Sequence, residues 1–357
     1  MATDSTGMTR VDHRKLIRFV SGCFEKLGVS ASDAAIAARV LVASDLRGVD
    51  THGVIRFNPQ AWYVKWLTEG SMTAEPKIRV VSQTPTTALI DGDRGMGMVV
   101  GHRAMEIAIE KAKESGVAMV GVRNSRHYGM SAYYAMLALP HDMIGIAMTN
   151  ASRQVVPTFG RAAKYGTNPI CFAVPADKQR PFVLDMATTT AAAGKLELAA
   201  RLGKGIPAGW ALNEKAEETF DPRAAQKARM LLPLGGSRDG GSHKGYGLGI
   251  LVEILCGVLT GTITALNDDQ DPRGHFFGAI KIDSFRPAAE FKRDMDRLIA
   301  ELKATTPIHG QERVYVAGEI EFETAAERAE HGIPLHSTVL KGLRDVGAQV
   351  SVHYDLE

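Results

Sequence analysis

The sequence predicts a mixed α/β chain in which helices from the two chain ends pack together around a sheet-rich middle. Three observations lead there. Apolar residues recur at helical spacing near both ends, and short apolar runs punctuated by turn residues fill the centre. Hydrophobic residues make up 45% of the 357 and charged ones 23%, an ordinary balance for a globular chain long enough for about two domains and a large core. The expected division is a helical domain from 1–75 with 285–357, and a sheet-rich domain over 76–284.

Taken in order, the first helix is expected from Thr9, with Thr9-x-x-Asp12 as a capping box and Leu16, Phe19, Val20, Cys23, Phe24 and Leu27 on one face, stopped by Gly28. A second opens at Ser30-x-x-Asp33 and runs to about Leu46. A third covers Trp62 to Leu67 and ends at Gly70. Lys77–Val81 and Thr86–Ile90 read as strands joined around Thr84-Pro85, followed by a helix from about His102 to Glu114 that ends at Gly116. Strands are then expected at Val117–Val122, Ile144–Thr149, Ile170–Val174, Phe182–Leu184 and His275–Ile282, with a helix over Gly245–Leu259. The tail reads as helices over Ala288–Leu302 and Phe322–His331, the latter closed by Gly332 with Pro334 beyond.

Composition excludes several function classes. A formal charge of +2 with scattered basic residues gives no footprint for nucleic acid or an acidic membrane surface. Cys23, Cys171 and Cys256 lie far apart, in no zinc or redox spacing, and read as buried free thiols of a reducing compartment. The N-terminal stretch MATDSTGMTRVDHRK lacks the apolar core of a secretory signal, so the expected location is the cytoplasm. Gly247–Leu266 is about as long as a membrane span, yet it carries Glu253 and four glycines. It reads as a helix of the core or of a subunit interface. His243, His275 and His309 show no ligand spacing with acids and there is no H-E-x-x-H, so no catalytic metal is expected.

Two glycine clusters test a nucleotide reading. Gly95-Met-Gly97 is followed by Gly101, one residue too long for the dinucleotide fingerprint, and the acidic residue expected about 20 positions on is missing, so it reads as a helix-opening turn. GGSRDGGSHKGYGLG (235–249) fails the phosphate-loop pattern, because Ser242 stands where lysine is needed. Lys244 beside a helix N-terminus could still hold a cofactor phosphate, or it could be a solvent lysine on a glycine loop.

Chemistry concentrates elsewhere. His52 and Arg56 are four apart, so a helical turn would put them on one face, where arginine could grip a carboxylate and histidine a carbonyl or hydroxyl. The bland alternative pairs Arg56 with Asp45 or Asp50 at a helix end. His127, in a loop after a buried strand and before a helix, would be held neutral by the helix end and able to take an alcohol proton. Asp185 ends the strand PFVLD; it could orient a histidine, bind ribose or cap the next helix.

The blocks DLRGVDTHGVIR (45–56), NSRHYG (124–129), YGTNPICFAVP (165–175), LDMATT (184–189), LLPLGG…HKGYGL (231–248) and GHFFGAI (274–280) resemble, in order across nearly the whole chain, those of the malate/L-lactate dehydrogenase type 2 family. That family includes ureidoglycolate, sulfolactate and 2,3-diketogulonate dehydrogenases and cyclic ketimine reductases. The resemblance implies a non-Rossmann, largely antiparallel sheet domain binding NAD or NADP, with NAD favoured, flanked by helices from both ends, and a homodimer. It implies that His127 is the proton acceptor and donor, that His52 and Arg56 bind substrate, with Thr51 beside them read as a further substrate contact, and that Asp185, Met186, Ala187, Lys244, Gly274, His275 and Phe276 contact the cofactor. Thr51 replaces the family's usual serine, keeping the hydroxyl and adding a methyl that could reshape the pocket. Ala151 stands where some relatives use a serine, so only a backbone contact carries over.

The expected function is therefore hydride transfer between NAD(P) and a small 2-hydroxy or 2-oxo acid such as malate or lactate, with His127, His52, Arg56 and Asp185 as the catalytic set. Three alternatives stand beside it: an NADPH-dependent reductase of a cyclic imino acid; from another class, a metal-dependent hydrolase or lyase using His52, His127 and Asp185; and a non-catalytic nucleotide-binding protein.

Overall fold

The computed structural model describes residues 7–266 and 272–357, so the opening of the N-terminal stretch read above lies outside the described residues. The first segment holds β1 (Met8–Val11), α1 (His13–Lys26), α2 (Ala31–Leu46), β2 (Phe57–Asn58) and α3 (Trp62–Thr68), with 3-10 turns at Asp50–His52 and Val54–Arg56. The middle contains β3 (Arg79–Gln83), β4 (Thr87–Asp91), α4 (Gly97–Ser115), β5 (Val117–Ser125), α5 (Ser131–Met136), β6 (Met143–Thr149), β7 (Ile170–Val174) and β8 (Phe182–Met186). It continues with α6 (Ala193–Arg201), β9 (Ala211–Leu212), α7 (Pro222–Ala228), β10 (Met230–Leu231), α8 (Ser242–Glu253) and β11 (Arg273–Lys281). The tail is α9 (Ala288–Lys303), α10 (Glu319–His331), β12 (Ile333–His336) and α11 (Ser337–Val350).

The central sheet runs β3-β4-β5-β11-β6-β7-β8. Only β4 and β5, joined through α4, pair in parallel; the other neighbours are antiparallel, which is the non-Rossmann arrangement expected. The Gly95–Gly97 turn opens α4. A Cβ on Gly97 would lie 2.0 Å from the Arg126 carbonyl oxygen, so the glycine lets this helix start against the loop that carries His127.

The two ends meet as expected, and more tightly than periodicity alone foretells. β1 pairs antiparallel with β12, and α1 packs on α2 and α11. This corrects the start of the first helix. Thr9 sits in β1 opposite Leu335, and Asp12 is the cap, its carboxylate accepting from the Arg14 and Lys15 N–H groups at 2.9 Å each. A partner strand more than 300 residues away, invisible to local pattern, claims the backbone of Met8–Val11. One buried cluster runs through Leu16, Phe24, Leu41, Val120, Phe277 and Leu343, so terminal helices and sheet share a core.

α8 continues through a π-helical turn at Ile254–Val258. The segment is buried on one side only. Val252, Glu253 and Cys256 face inward, while Leu251, Ile254, Val258 and Leu259 stand exposed. Glu253 is satisfied inside by Asn150, Asn168, Thr264 and the Ala265 N–H. Among the described residues no helix is long and apolar enough to cross a membrane.

Candidate active site

A groove of about 950 Å³ lies between the sheet edge at β8, the α2–β2 segment and the C-terminal elements. Its volume is at the upper end of the usual range for small-molecule sites. Thr51, His52 and Arg56 line one side, and Asp185, Met186 and Ala187 line another.

His52 and Arg56 reach the groove without the continuous helical turn expected of them. Gly53 breaks the segment into two 3-10 turns with an extended ψ of −154°. The carboxyl of buried Asp45 lies against Gly53, where a Cβ would come within 1.9 Å of Oδ1, and Oδ2 accepts from the Val54 N–H at 2.8 Å. Arg56 donates from Nε to the Thr51 carbonyl at 2.8 Å, while the Thr51 hydroxyl meets His52 Nδ1 at 2.9 Å. The bland pairing of Arg56 with Asp45 or Asp50 does not occur: Asp50 pairs with Arg328 instead. Arg56 thus has its near edge fixed and its outer nitrogens available for a planar anion.

His127 lies beside this pair. Its ring stacks near His52, with centroids 5.7 Å apart and planes 21° from parallel. Tyr63 Oη is 2.7 Å from Nδ1, and the Gly129 N–H donates to the same nitrogen at 3.2 Å. Trp62, at an unusual positive φ of 37°, places its ring edge-on to His127 at 4.5 Å and under the Arg56 guanidinium at 4.5 Å. These two aromatics were missed at the sequence level. The available signal was an adjacent Trp-Tyr pair six and seven residues beyond Arg56, which by pattern alone is an ordinary helix start.

His127 is held neutral, as expected, but for a different reason. The helix that follows starts only at Ser131. Burial is the main cause, with the neighbouring His52 and the Arg56 guanidinium adding to it, and together they push the imidazole well below its ordinary 6.5. Burial and then Arg56 bring His52 to about 4. Two neutral rings beside one guanidinium can accept or donate protons without a standing charge repulsion between them.

Asp185 caps a helix, though not the next one. Its Oδ2 accepts from Ala132 N–H at 2.8 Å, at the start of α5 across the sheet edge. Asp185 is exposed to solvent in the groove yet flanked by protein. Enclosure raises it to about 6, against the Ala132 bond and Arg47, which favour the charged form.

The remaining expected cofactor residues are not gathered at this groove. β11 is the central strand of the sheet, so its side chains alternate between two covered faces. His275 is fully buried between Ser125 and Thr149, at 2.9 and 2.7 Å, and stacks on Tyr128 at 4.7 Å. Phe276 points the other way, toward the α8 cluster, and Gly274 is buried against the Cys256 carbonyl. Lys244 stands exposed in the first turn of α8. Conversely, the groove gains a wall with no sequence signal. Tyr315–Gly318 runs along it, and Ala317 O accepts from Val183 N–H at 3.0 Å, extending the β8 edge.

The Thr51 methyl has a defined partner. A Cβ on Gly194, in the first turn of α6, would lie 2.5 Å from Thr51 Cγ2. Among the described residues no group of three His, Cys, Asp or Glu is arranged to hold a metal ion.

The chain resembles known proteins over nearly its whole length. The family model described as malate/L-lactate dehydrogenase matches residues 11–344. The chain is 43% identical to a malate dehydrogenase of Pyrococcus horikoshii over 349 residues, covering 96% of each. It is 31% identical over 334 residues to a ureidoglycolate dehydrogenase (NAD(+)) of Escherichia coli O157:H7, covering 91% of this chain and 92% of that one. The crystal structure of malate dehydrogenase from Entamoeba histolytica superposes with a TM-score of 0.93 at 34% identity, over 97% of this chain and 99% of that one. These relatives are dehydrogenases, which sets aside the hydrolase or lyase reading. The chain belongs to the malate/L-lactate dehydrogenase family and is an oxidoreductase that acts on the CH–OH group of hydroxy acids.

Proposed function

We propose that the chain is a cytoplasmic, homodimeric dehydrogenase that moves a hydride between NAD, in preference to NADP, and a small 2-hydroxy acid of the malate or lactate type, with His127 as the proton-transfer residue. The observation that carries this reading is a neutral His127 imidazole stacked on His52, next to an Arg56 whose outer guanidinium nitrogens are uncommitted. The groove fits an extended dinucleotide. Its volume is about 950 Å³, and it holds a buried arginine nitrogen, Arg47 Nε, with no hydrogen-bond partner.

Arg56 clamps the substrate carboxylate, and His52, steadied by the Thr51 hydroxyl, binds the C2 oxygen. The nicotinamide, when bound, supplies the hydride acceptor or donor. In the oxidative direction the His127 imidazole takes the hydroxyl proton; in the reductive direction it returns one. The Tyr63 hydroxyl can donate to Nδ1 alongside the Gly129 N–H when the ring is neutral, and accept from it when the ring is charged. Asp185, Met186 and Ala187 hold the cofactor from β8, and Lys244 offers a cation to its phosphates. Gly274, His275 and Phe276 support the sheet beneath. NAD is favoured because a relative carries NAD(+) in its name. The exposed apolar stripe of α8 (Leu251, Ile254, Val258) is the surface for the second subunit. Three buried free thiols suit a reducing compartment.

The test is a panel of 2-oxo acids and cyclic imino acids with NADH and NADPH, followed at the nicotinamide absorbance, with light scattering for the dimer. Turnover of an oxo acid with NADH is expected; turnover of cyclic imino acids alone would replace this reading by ketimine reduction.

A further inference from the structure

Arg47 closes α2 and is almost entirely enclosed, with 6% of its surface exposed. Its guanidinium carbon lies over the Phe322 ring, 4.5 Å from the centroid, a contact that spends none of the N–H donors. Nε is sealed from solvent without an acceptor, and among the described residues no carboxylate or carbonyl accepts from any nitrogen of this side chain. Asp185 and Glu321 are near enough to act through space on the charge, yet neither forms an ion pair with it. All three residues line the groove.

A buried guanidinium nitrogen with an idle donor is costly, because it has lost its water without gaining a partner. A purely structural arginine would close on Asp185 or Glu321, both of which are within the same wall. Instead, the carboxyl of Asp185 is turned to the start of α5. The substrate side already has its own arginine, Arg56, fixed by Thr51 and Trp62. Arg47 stands on the other flank, with Asp185 and the C-terminal wall that begins at Tyr315.

We propose that Arg47 is a phosphate-binding residue of the dinucleotide site, its free N–H edge donating to cofactor phosphate oxygens. The inference rests on the nicotinamide reading above. The shared chemistry is a phosphate, whether the pyrophosphate common to NAD and NADP or the 2′-phosphate of NADP alone. The charge-assisted pair is the geometry for which arginine is suited, and lysine is only a partial replacement.

The test is fluorescence titration of NADH, NADPH and ADP-ribose into the wild-type protein, R47M and R47K, with thermal melting of each variant and KM for an oxo acid that the wild type reduces. R47M is expected to bind NADH and ADP-ribose roughly 10- to 100-fold more weakly. R47K, which keeps charge and bulk should R47M fail to fold, is expected to fall in between, and the oxo-acid KM to stay within about twofold of wild type. Equal losses for NADH and NADPH assign the pyrophosphate, and a loss for NADPH alone assigns the 2′-phosphate. Folded R47M and R47K that bind all three probes like wild type overturn the proposal, as does a rise in oxo-acid KM with cofactor affinity unchanged. A wild-type protein that binds none of the probes sinks the cofactor reading itself, which is a separate result.

Discussion

The Tyr63 hydroxyl lies 2.7 Å from Nδ1 of His127, joining the first turn of α3 to the loop after β5 across 64 residues of sequence. Burial pushes the phenol well above its ordinary value and lowers the imidazole, so both are neutral at ordinary pH. The pair shares one proton position with no charge to stabilise. Tyr63→Phe is expected to lower kcat about 2- to 10-fold, the worth of one neutral hydrogen bond, with KM for the acid nearly unchanged. A larger effect on KM than on kcat would place Tyr63 with substrate binding instead.

His127→Ala is expected to cost about 10²- to 10⁴-fold in kcat while leaving NADH binding intact. The pH profile carries the sign. Because the imidazole is held below 6.5, the acid limb of kcat/KM for hydroxy-acid oxidation should fall below pH 6.5 rather than at it. An acid limb centred above 6.5 would mean that some other group takes the proton.

Arg56→Lys should raise KM for the acid by roughly 10-fold or more and spare the cofactor KM, because lysine cannot reproduce the fork and loses the stack on Trp62. Steady-state kinetics at varied acid and varied NADH separates the two effects.

Gly194→Ala should disturb the groove by driving a Cβ to 2.5 Å from the Thr51 methyl. Removing that methyl with Thr51→Ser leaves Thr51 Cβ as the nearest atom, at 3.2 Å. The double variant is therefore expected to recover most of the activity that Gly194→Ala loses. Additive losses in the cycle would show that the two positions do not touch in solution.

Acid should destabilise the fold before carboxylates titrate. His275 is brought to about 3 and His52 to about 4, mainly by burial, while an unfolded chain protonates both near 6.5. Between those values the unfolded state binds more protons, so stability present above pH 6.5 is lost as pH falls toward 4. The melting temperature is expected to drop by several degrees between pH 7.5 and pH 5, and His275→Gln should flatten that slope. A pH-independent melting point over this range would contradict the buried, neutral assignment.

Local pattern determined most of the helices and strands here, because 3.6- and 2-residue periods report which face is buried. Ser30 capping α2, Gly116 ending α4 and the β5–β8 strands all follow from it. Block resemblance added His52, Arg56 and His127 as a set, and the structure brings them together. What the sequence by itself could not decide depends on contacts between distant segments. Thr9 lies in a strand because Leu335 offers it a ladder. Asp185 caps α5 because the sheet edge turns it there, and the wall at Tyr315–Gly318 exists because Ala317 hydrogen-bonds Val183. His275 looked like a ligand contact in a glycine-rich block. Only its place on the central strand, with both faces covered, put it inside. Periodicity is a local record of burial, and the polar partners of a site come from wherever the chain returns, so elements are legible along the chain while their chemistry is set in space.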